Sequence, residues 1–282
     1  MRARAFAKVN LALAVYAPTA DGFHPLSGIF QSVSLVDTVT IDGARSDVVT
    51  VSNLESPADT TNLAFLAVDA ARRAARISSP VSIDLEKRIP SGAGLGGGSA
   101  DAAAALGLVA RRYGIDSDTV VEIAESLGSD IPFSLIGGTC LVEGRGERLT
   151  PMESFQDFAL AVVVPPYSLV TADVYRRWDE LGGPTGESLA DSALPPSLRG
   201  GLAIRNDLYP AAVSLDPRIA DWRSELCLRW GKGVAMTGSG SALFGFFATL
   251  DEAASALDAV DMPVRAAEAV EPVSKGWEQV YV

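Results

Sequence analysis

Residues 90–101 read PSGAGLGGGSAD, a stretch with six glycines or alanines in its centre and no positive charge. Gly92, Gly94 and Gly97 satisfy the spacing G-x-G-x-x-G, and Gly92 and Gly97 also sit where a P-loop has glycines. Neither pattern holds in context. A dinucleotide fingerprint begins directly at the end of a buried strand. Here Lys87-Arg88-Ile89-Pro90 intervenes, and no acid stands at the needed place in a second parallel strand. A P-loop needs a lysine against the phosphates, and Gly98 stands there instead. A plain flexible tether fits poorly too, because Pro90 restrains the entry, Leu95 is apolar, and Ser99 is placed as an N-cap for an alanine-rich helix. A glycine run feeding a helix start offers bare backbone N–H groups and the positive end of the helix dipole. The stretch therefore reads as an anion cradle of a third kind, with Ser99 and a magnesium ion to supplement its charge.

The surrounding chain alternates strand and helix signals. Val9, Leu11, Leu13 and Val15 alternate with Lys8, Asn10, Ala12 and Ala14, which predicts a strand with Lys8 and Asn10 on one face. Further strands are expected over 32–41, 48–51 and 81–85, and helices over 62–76 and 99–113. A hairpin region is expected over 137–149. The pattern restarts with a buried strand at 158–164, helices over 171–181 and 207–230, and strands 233–237 and 242–247 around a second glycine turn, Gly238-Ser239-Gly240-Ser241. A helix over 251–258 and a strand over 264–270 close the pattern, while 182–201 reads as an exposed loop rich in Gly, Pro and Ser. The fold class is α+β, with two domains expected at 1–154 and 155–282.

Bulk properties narrow the function. With 35 acidic and 23 basic residues among 282, the net charge is −12, which argues against a nucleic-acid partner held through clustered cations. The two cysteines, Cys140 and Cys227, are too few for a disulfide scaffold and suit a reducing cytoplasm. Lys8 and Asn10 interrupt the apolar part of the N-terminal segment, so it does not read as a signal peptide. No apolar run reaches the ~18 residues that span a bilayer, so no membrane association is expected.

Taken with its neighbours, the glycine stretch resembles the nucleotide-binding motif of the GHMP small-molecule kinases. The resemblance extends across almost the whole chain: AKVNLALAVYAPTADGFHPLSGIFQSVSLVDTVTI (7–41), LGSDIPFSLIGGTCLVEGRGERLTP (127–151), RNDLYPAA (205–212) and MTGSGSALFG (236–245). The glycine motif alone reaches only the superfamily; DGFH with GSDIPFSL is similar to its 4-diphosphocytidyl-2-C-methylerythritol kinase branch. The resemblance implies a ribosomal-protein-S5-like first domain and a ferredoxin-like second one. It implies transfer of the γ-phosphoryl of ATP, with Mg2+, to the 2-hydroxyl of a cytidyl diphosphate methylerythritol in the non-mevalonate isoprenoid pathway. The partners expected are this small molecule and, at most, a second copy of the chain. Two alternatives stay open: another GHMP kinase, of homoserine or mevalonate type, and a nucleotide- or metabolite-binding regulator without catalysis. The latter would have lost Lys8 or Asp130, and both are present.

Site residues follow from the same resemblance. A tertiary alcohol needs a positioned base, and Asp130 matches the family's catalytic aspartate; the alternative is a helix cap before Ile131-Pro132. Lys8 is its implied partner, or else a lysine on a solvated strand face. The cradle implied for the nucleotide comprises Pro90, Gly92, Ala93, Gly94, Leu95, Gly96, Gly97, Gly98, Ser99 and Ala100, with Asn62 and Lys87 near the adenine. For the substrate, Asn10 is placed to hold hydroxyls, and the lone histidine, His24, to bond the cytosine ring. Phe23, where the family commonly has tyrosine, and Tyr175, four residues after Thr171, are implied to stack on that ring, worth about 1–3 kcal/mol per face; the alternative for both is core packing. Gly238, Ser239 and Gly240 are expected either to bind the diphosphate, to steady the nucleotide loop, or to be a plain turn.

Overall fold

In the computed structural model, which describes residues 1–183, 189–190, 194–199 and 204–281, the first half of the chain builds one mixed sheet. Its elements are β1 (Arg2–Val15), β2 (Leu26–Gly43), β3 (Val48–Ser52), α1 (Leu63–Ala74), β4 (Val81–Glu86), α2 (Gly97–Tyr113), α3 (Ser117–Leu127), α4 (Ile131–Ile136), β5 (Thr139–Gly144) and β6 (Arg148–Pro151). The long β1 and β2 run antiparallel, Arg2 opposite Thr40 and Val15 opposite Leu26, with register shifts after Phe6 and after Asn10. β4 lies antiparallel to β2 and parallel to β3, while β5 and β6 extend the other end of β2.

The alanine run of α2 explains how this sheet is covered. Ala102 to Ala105 are all fully buried, and their small side chains let the helix axis lie close over β1 and β2. The helix begins two residues before the expected Ser99. Gly96, in the left-handed region at φ 71°, is its N-cap, and no side chain caps it. Ser99 is thus the third helical residue rather than the cap, and the first-turn amides stay without intrahelical partners.

The second sheet has β7 (Ala159–Val164), α5 (Thr171–Glu180), α6 (Tyr209–Leu215), α7 (Arg218–Trp230), β8 (Val234–Met236), β9 (Leu243–Phe247), α8 (Leu250–Asp258) and β10 (Ala266–Val270). Its strands run in the order β10-β7-β9-β8, all antiparallel, the ferredoxin-like arrangement of alternating strands backed by helices. Every residue of β7 is buried, as its apolar run demands. The expected single helical stretch over 207–230 is broken at Asp216-Pro217, because proline cannot continue the hydrogen-bonded ladder of α6.

Two expectations are corrected. The chain does not stay with the second sheet to its end. β11 (Trp277–Val280) returns to pair antiparallel with β1, Arg2 opposite Val280, so a second domain running over 155–282 gives up its last strand to the first sheet. Trp277 explains the return, for its indole lies against Gly107 of α2, where an added Cβ would fall 2.1 Å from the ring. The connection over 182–201, of which 184–188, 191–193 and 200–201 lie outside the described residues, is not wholly exposed. Leu194 and Leu198 are 3% and 4% exposed and packed in the core, Leu194 just before a short turn of 3-10 helix at Pro196–Leu198 and Leu198 as its last residue.

Candidate active site

Loops of the second half reach β1, the Leu13 amide donating to the Arg205 carbonyl at 2.9 Å and the Asn10 amide to the Thr237 hydroxyl, and the site grows from that contact. The polar face of β1, which alternation placed opposite Val9 and Leu11, is covered by the glycine stretch of 90–98 on one side and by the second glycine turn on the other. The Lys8 amide donates to the Leu95 carbonyl at 3.0 Å, and the Ala242 amide donates to Ala93 at 3.1 Å. The Thr237 hydroxyl stands between the turns, 2.9 Å from the Asn10 amide and 3.3 Å from the Gly94 carbonyl. The Asn206 carboxamide donates to Met236 and Gly238 carbonyls at 2.8 and 2.7 Å. The second glycine turn and the 90–98 stretch are thus tied together through Ala242 and Thr237.

Glycine is required in this seam. A Cβ on Gly94, at φ 80°, would lie 2.3 Å from the Thr237 carbonyl; on Gly96 it would lie 2.8 Å from the Lys8 side chain. The first is a backbone clash that no side chain relieves; at Gly96 any other residue would have to displace the Lys8 side chain and adopt a left-handed backbone at φ 71°.

A cleft of about 1130 Å³ opens above the seam, lined at one end by Pro90 through Ser99 with Asn62, Leu63, Ser56 and Pro57, and at the other by Phe23, His24, Thr171, Tyr175, Ser239 and Asp179. Lys8, Asn10 and Asp130 line it between those ends. Lys8 is 5% exposed, and its Nζ lies 3.3 Å from Asp130 Oδ2 and 2.7 Å from Asn10 Oδ1, over the Phe30 ring at 5.1 Å. The solvated-face alternative for Lys8 is therefore excluded. Asp130 occupies the N-cap position of α4 but makes no side-chain cap bond; its carboxylate turns to Lys8 and remains 32% exposed in the cleft.

The far end of the cleft is aromatic. His24 Nε2 lies 2.8 Å from Asp179 Oδ1, and its ring packs 5.2 Å from Tyr175 and 5.4 Å edge-on to Trp178. The Arg145 guanidinium lies 4.7 Å over the Phe23 ring and pairs with Asp21. Burial pushes the Tyr175 hydroxyl up to about 12, with Asp130 adding to the shift, so it stays a neutral phenol at physiological pH. Thr171 and Ser239 join hydroxyls at 2.8 Å.

Three residues expected at the site do not line the cleft. Ala100 is buried inside α2. Gly240 lies behind the turn, packed on Met236 and Leu169. Lys87 is 1% exposed and ion-paired to Asp37 and Asp101; its place beside the loop in sequence suggested a nucleotide contact, but its side chain turns into the core. Asn62 does line the cleft, with its carboxamide engaged within the chain. Oδ1 caps α1 by accepting from Ala64 at 2.9 Å, and Nδ2 donates to Pro57 at 2.7 Å. Sequence reasoning passed over Asp179 and Arg176, both in the cleft wall. Asp179 follows Tyr175 by four residues on one helix, a signal that the spacing carried, but its histidine partner lies 155 residues away.

Comparison with known proteins agrees with this geometry. Residues 62–138 match the model described as GHMP kinases N terminal domain, and residues 197–263 that of the GHMP kinases C terminal. A 4-diphosphocytidyl-2-C-methyl-D-erythritol kinase of Pelotomaculum thermopropionicum is 35% identical over 261 residues, covering 89% of this chain and 90% of the relative. The chain belongs to the 4-diphosphocytidyl-2-C-methyl-D-erythritol kinase family. A crystal structure of a 4-(cytidine 5'-diphospho)-2C-methyl-D-erythritol kinase superposes with TM-score 0.79 at 35% identity, over 96% of this chain and 99% of that one. A homoserine kinase from Cytophaga hutchinsonii shares the fold at TM-score 0.68 and 17% identity, over 99% of this chain and 96% of that one. The GHMP kinase fold and an ATP-dependent small-molecule kinase activity follow from the family.

Proposed function

We propose that this enzyme transfers the γ-phosphoryl of ATP to the 2-hydroxyl of 4-diphosphocytidyl-2-C-methyl-D-erythritol, with Asp130 as general base and Lys8 as its partner. The observation that carries the reading is the Lys8–Asp130 pair at 3.3 Å, between the glycine cradle and the aromatic end of one cleft. Phosphoryl transfer asks chiefly for positioning and charge balance. The unpaired amides at the start of α2 supply the cradle for the nucleotide phosphates. Asp130 accepts the proton of the attacking hydroxyl, and Lys8, 3.3 Å from it, orients the carboxylate and offsets charge growing on the oxygen. Asn10, held by Lys8 and Thr237, orients the substrate hydroxyls. Phe23 and Tyr175 offer flat rings to a cytosine, and Asp179 fixes which nitrogen of His24 carries its proton, so the other faces the base as an acceptor.

Magnesium fits as a passenger of the nucleotide. No cluster of three acidic or imidazole ligands exists among the described residues, and magnesium usually takes one or two protein ligands plus substrate phosphates. Ser99, in the cleft at the first turn of α2, is the hydroxyl that would join it, and the ion would neutralise phosphate charge during transfer. The reading is of a cytoplasmic enzyme. A direct assay decides it: purified protein with magnesium-ATP is expected to phosphorylate the cytidyl diphosphate alcohol and to leave mevalonate and homoserine unchanged. Turnover of either of those in its place would overturn the assignment.

A further inference from the structure

Outside the cleft, the described chain holds a sealed group of charges, each side chain 2% exposed or less: Lys87 with Asp37 and Asp101. Its position in the fold gives it meaning. The β2–β4 ladder ends at Thr38 opposite Glu86, so Asp37 is the next residue of β2, where pairing stops. There its carboxylate replaces the missing strand contact, accepting the amides of Arg88 and of Ile89, the latter at 2.8 Å. Those two residues lead directly into Pro90 and the glycine stretch. Lys87 bonds the other oxygen of Asp37 and reaches Asp101 Oδ2 at 2.5 Å, and Asp101 is the fifth residue of α2, at the end of the stretch. The group therefore joins the entry and the exit of the glycine loop to one rigid strand. Ile89 also packs so closely on Gly97 that a Cβ there would lie 2.9 Å from its side chain.

We propose that Asp37, Lys87 and Asp101 are positioning residues that hold the two ends of the glycine loop at a fixed separation, so that its amides point into the cleft before the nucleotide arrives. Preorganised donors cost no reordering on binding, and a loop of this glycine content has the most conformational freedom to lose. A group placed only to stabilise the fold would have no reason to bracket the loop; an apolar trio of similar volume would do as well or better. The inference rests on ATP occupying this loop.

The test is the pair Asp101→Ala and Asp101→Asn. Asp101→Ala cuts the tie to α2 while leaving Lys87 and Asp37 as a balanced pair. It is expected to raise KM for ATP, and the Kd of a non-hydrolysable ATP analogue, about tenfold, the effect of ~1.4 kcal/mol, with KM for the alcohol unchanged. Asp101→Asn keeps the hydrogen bond and is expected to return both constants to within about twofold of wild type, the range of a retained hydrogen bond. Unchanged ATP affinity in a folded Asp101→Ala protein overturns the proposal, as does an equal rise of KM for both substrates. If Asp101→Ala does not fold, hydrogen exchange in the nucleotide-free wild type decides: the Lys8 and Ala242 amides, bonded to loop carbonyls, are expected to exchange slowly, and exchange at the rate of exposed loops overturns a preset loop. Failure of the underlying reading would look different, since the wild type itself would then not bind the analogue.

Discussion

Two lysine–aspartate groups flank the glycine loop, and they differ in one property. Asp130 beside Lys8 is 32% exposed in the cleft, whereas Asp37 and Asp101 around Lys87 are sealed at 0% and 2%. A carboxylate that a substrate can reach is able to take its proton; one enclosed by protein can only hold other groups in place. Proximity to the loop in sequence favours Lys87 for chemistry, since it lies three residues from Pro90 and Lys8 lies far upstream. Solvent access reverses that order. The lesson is that charge near a phosphate loop divides into a group that reacts and a group that positions, and accessibility separates them.

Three experiments press on this contrast. The largest effect is expected at the open group: Asp130→Asn should lower kcat about a thousandfold, ~4 kcal/mol, as removal of a general base does. Its ATP affinity should stay near that of wild type. A variant that kept wild-type kcat would make Asp130 a bystander and erase the distinction. Next comes stability. Lys87→Met leaves the enclosed Asp37 carboxylate without its cation and should cost ~3 kcal/mol or more in urea denaturation. Lys8→Met leaves a carboxylate that water can reach, and should cost ~1 kcal/mol or less. Equal losses would mean that the two groups are equally enclosed.

The effect that is smallest per step is in pH. Burial, outweighing the attraction of Lys87, raises Asp101 from 3.8 to about 8, and its second oxygen is buried without a partner, the place for a retained proton. Lys87 loses by burial but gains more from the two carboxylates, so it too is raised and titrates above this window. Below pH 4 folded and unfolded chains both hold the Asp101 proton. As pH rises toward 8 the unfolded chain releases it first, so stability is lost progressively across that range, by at most ~1.4 kcal/mol per unit. Urea midpoints measured from pH 5 to pH 8 should therefore fall in the wild type, and Asp101→Asn should flatten the slope. An unaltered slope in the variant would show Asp101 to be ionised in the native protein.

How far the sequence could be read depends on the range of the interaction concerned. The alternation in β1 and the alanine face of α2 are local patterns, and each forms the element expected, α2 with its cap at Gly96 and not at Ser99. α3 was legible but passed over: Asp116 caps it by accepting from Thr119, and Val120, Ile123, Ala124 and Leu127 fall on one face. Other features depend on partners distant in the chain. Lys87 finds its acids 50 and 14 residues away, and His24 its acid 155 residues away; a one-dimensional pattern carries no trace of either. β11 is four half-buried residues, WEQV, too short and mixed for periodicity. It exists because Trp277 has a place on α2.

That last strand bears on the order in which the protein can be made. Domains emerge from synthesis N-terminal end first, yet β1 receives its neighbour β11 from residues 277–280. Until those residues appear, one edge of the first sheet is open and the surface of α2 beside Gly107 lacks its indole. The half that carries the glycine stretch is thus begun first and finished last, and the ferredoxin-like half has to form while its neighbour is still incomplete.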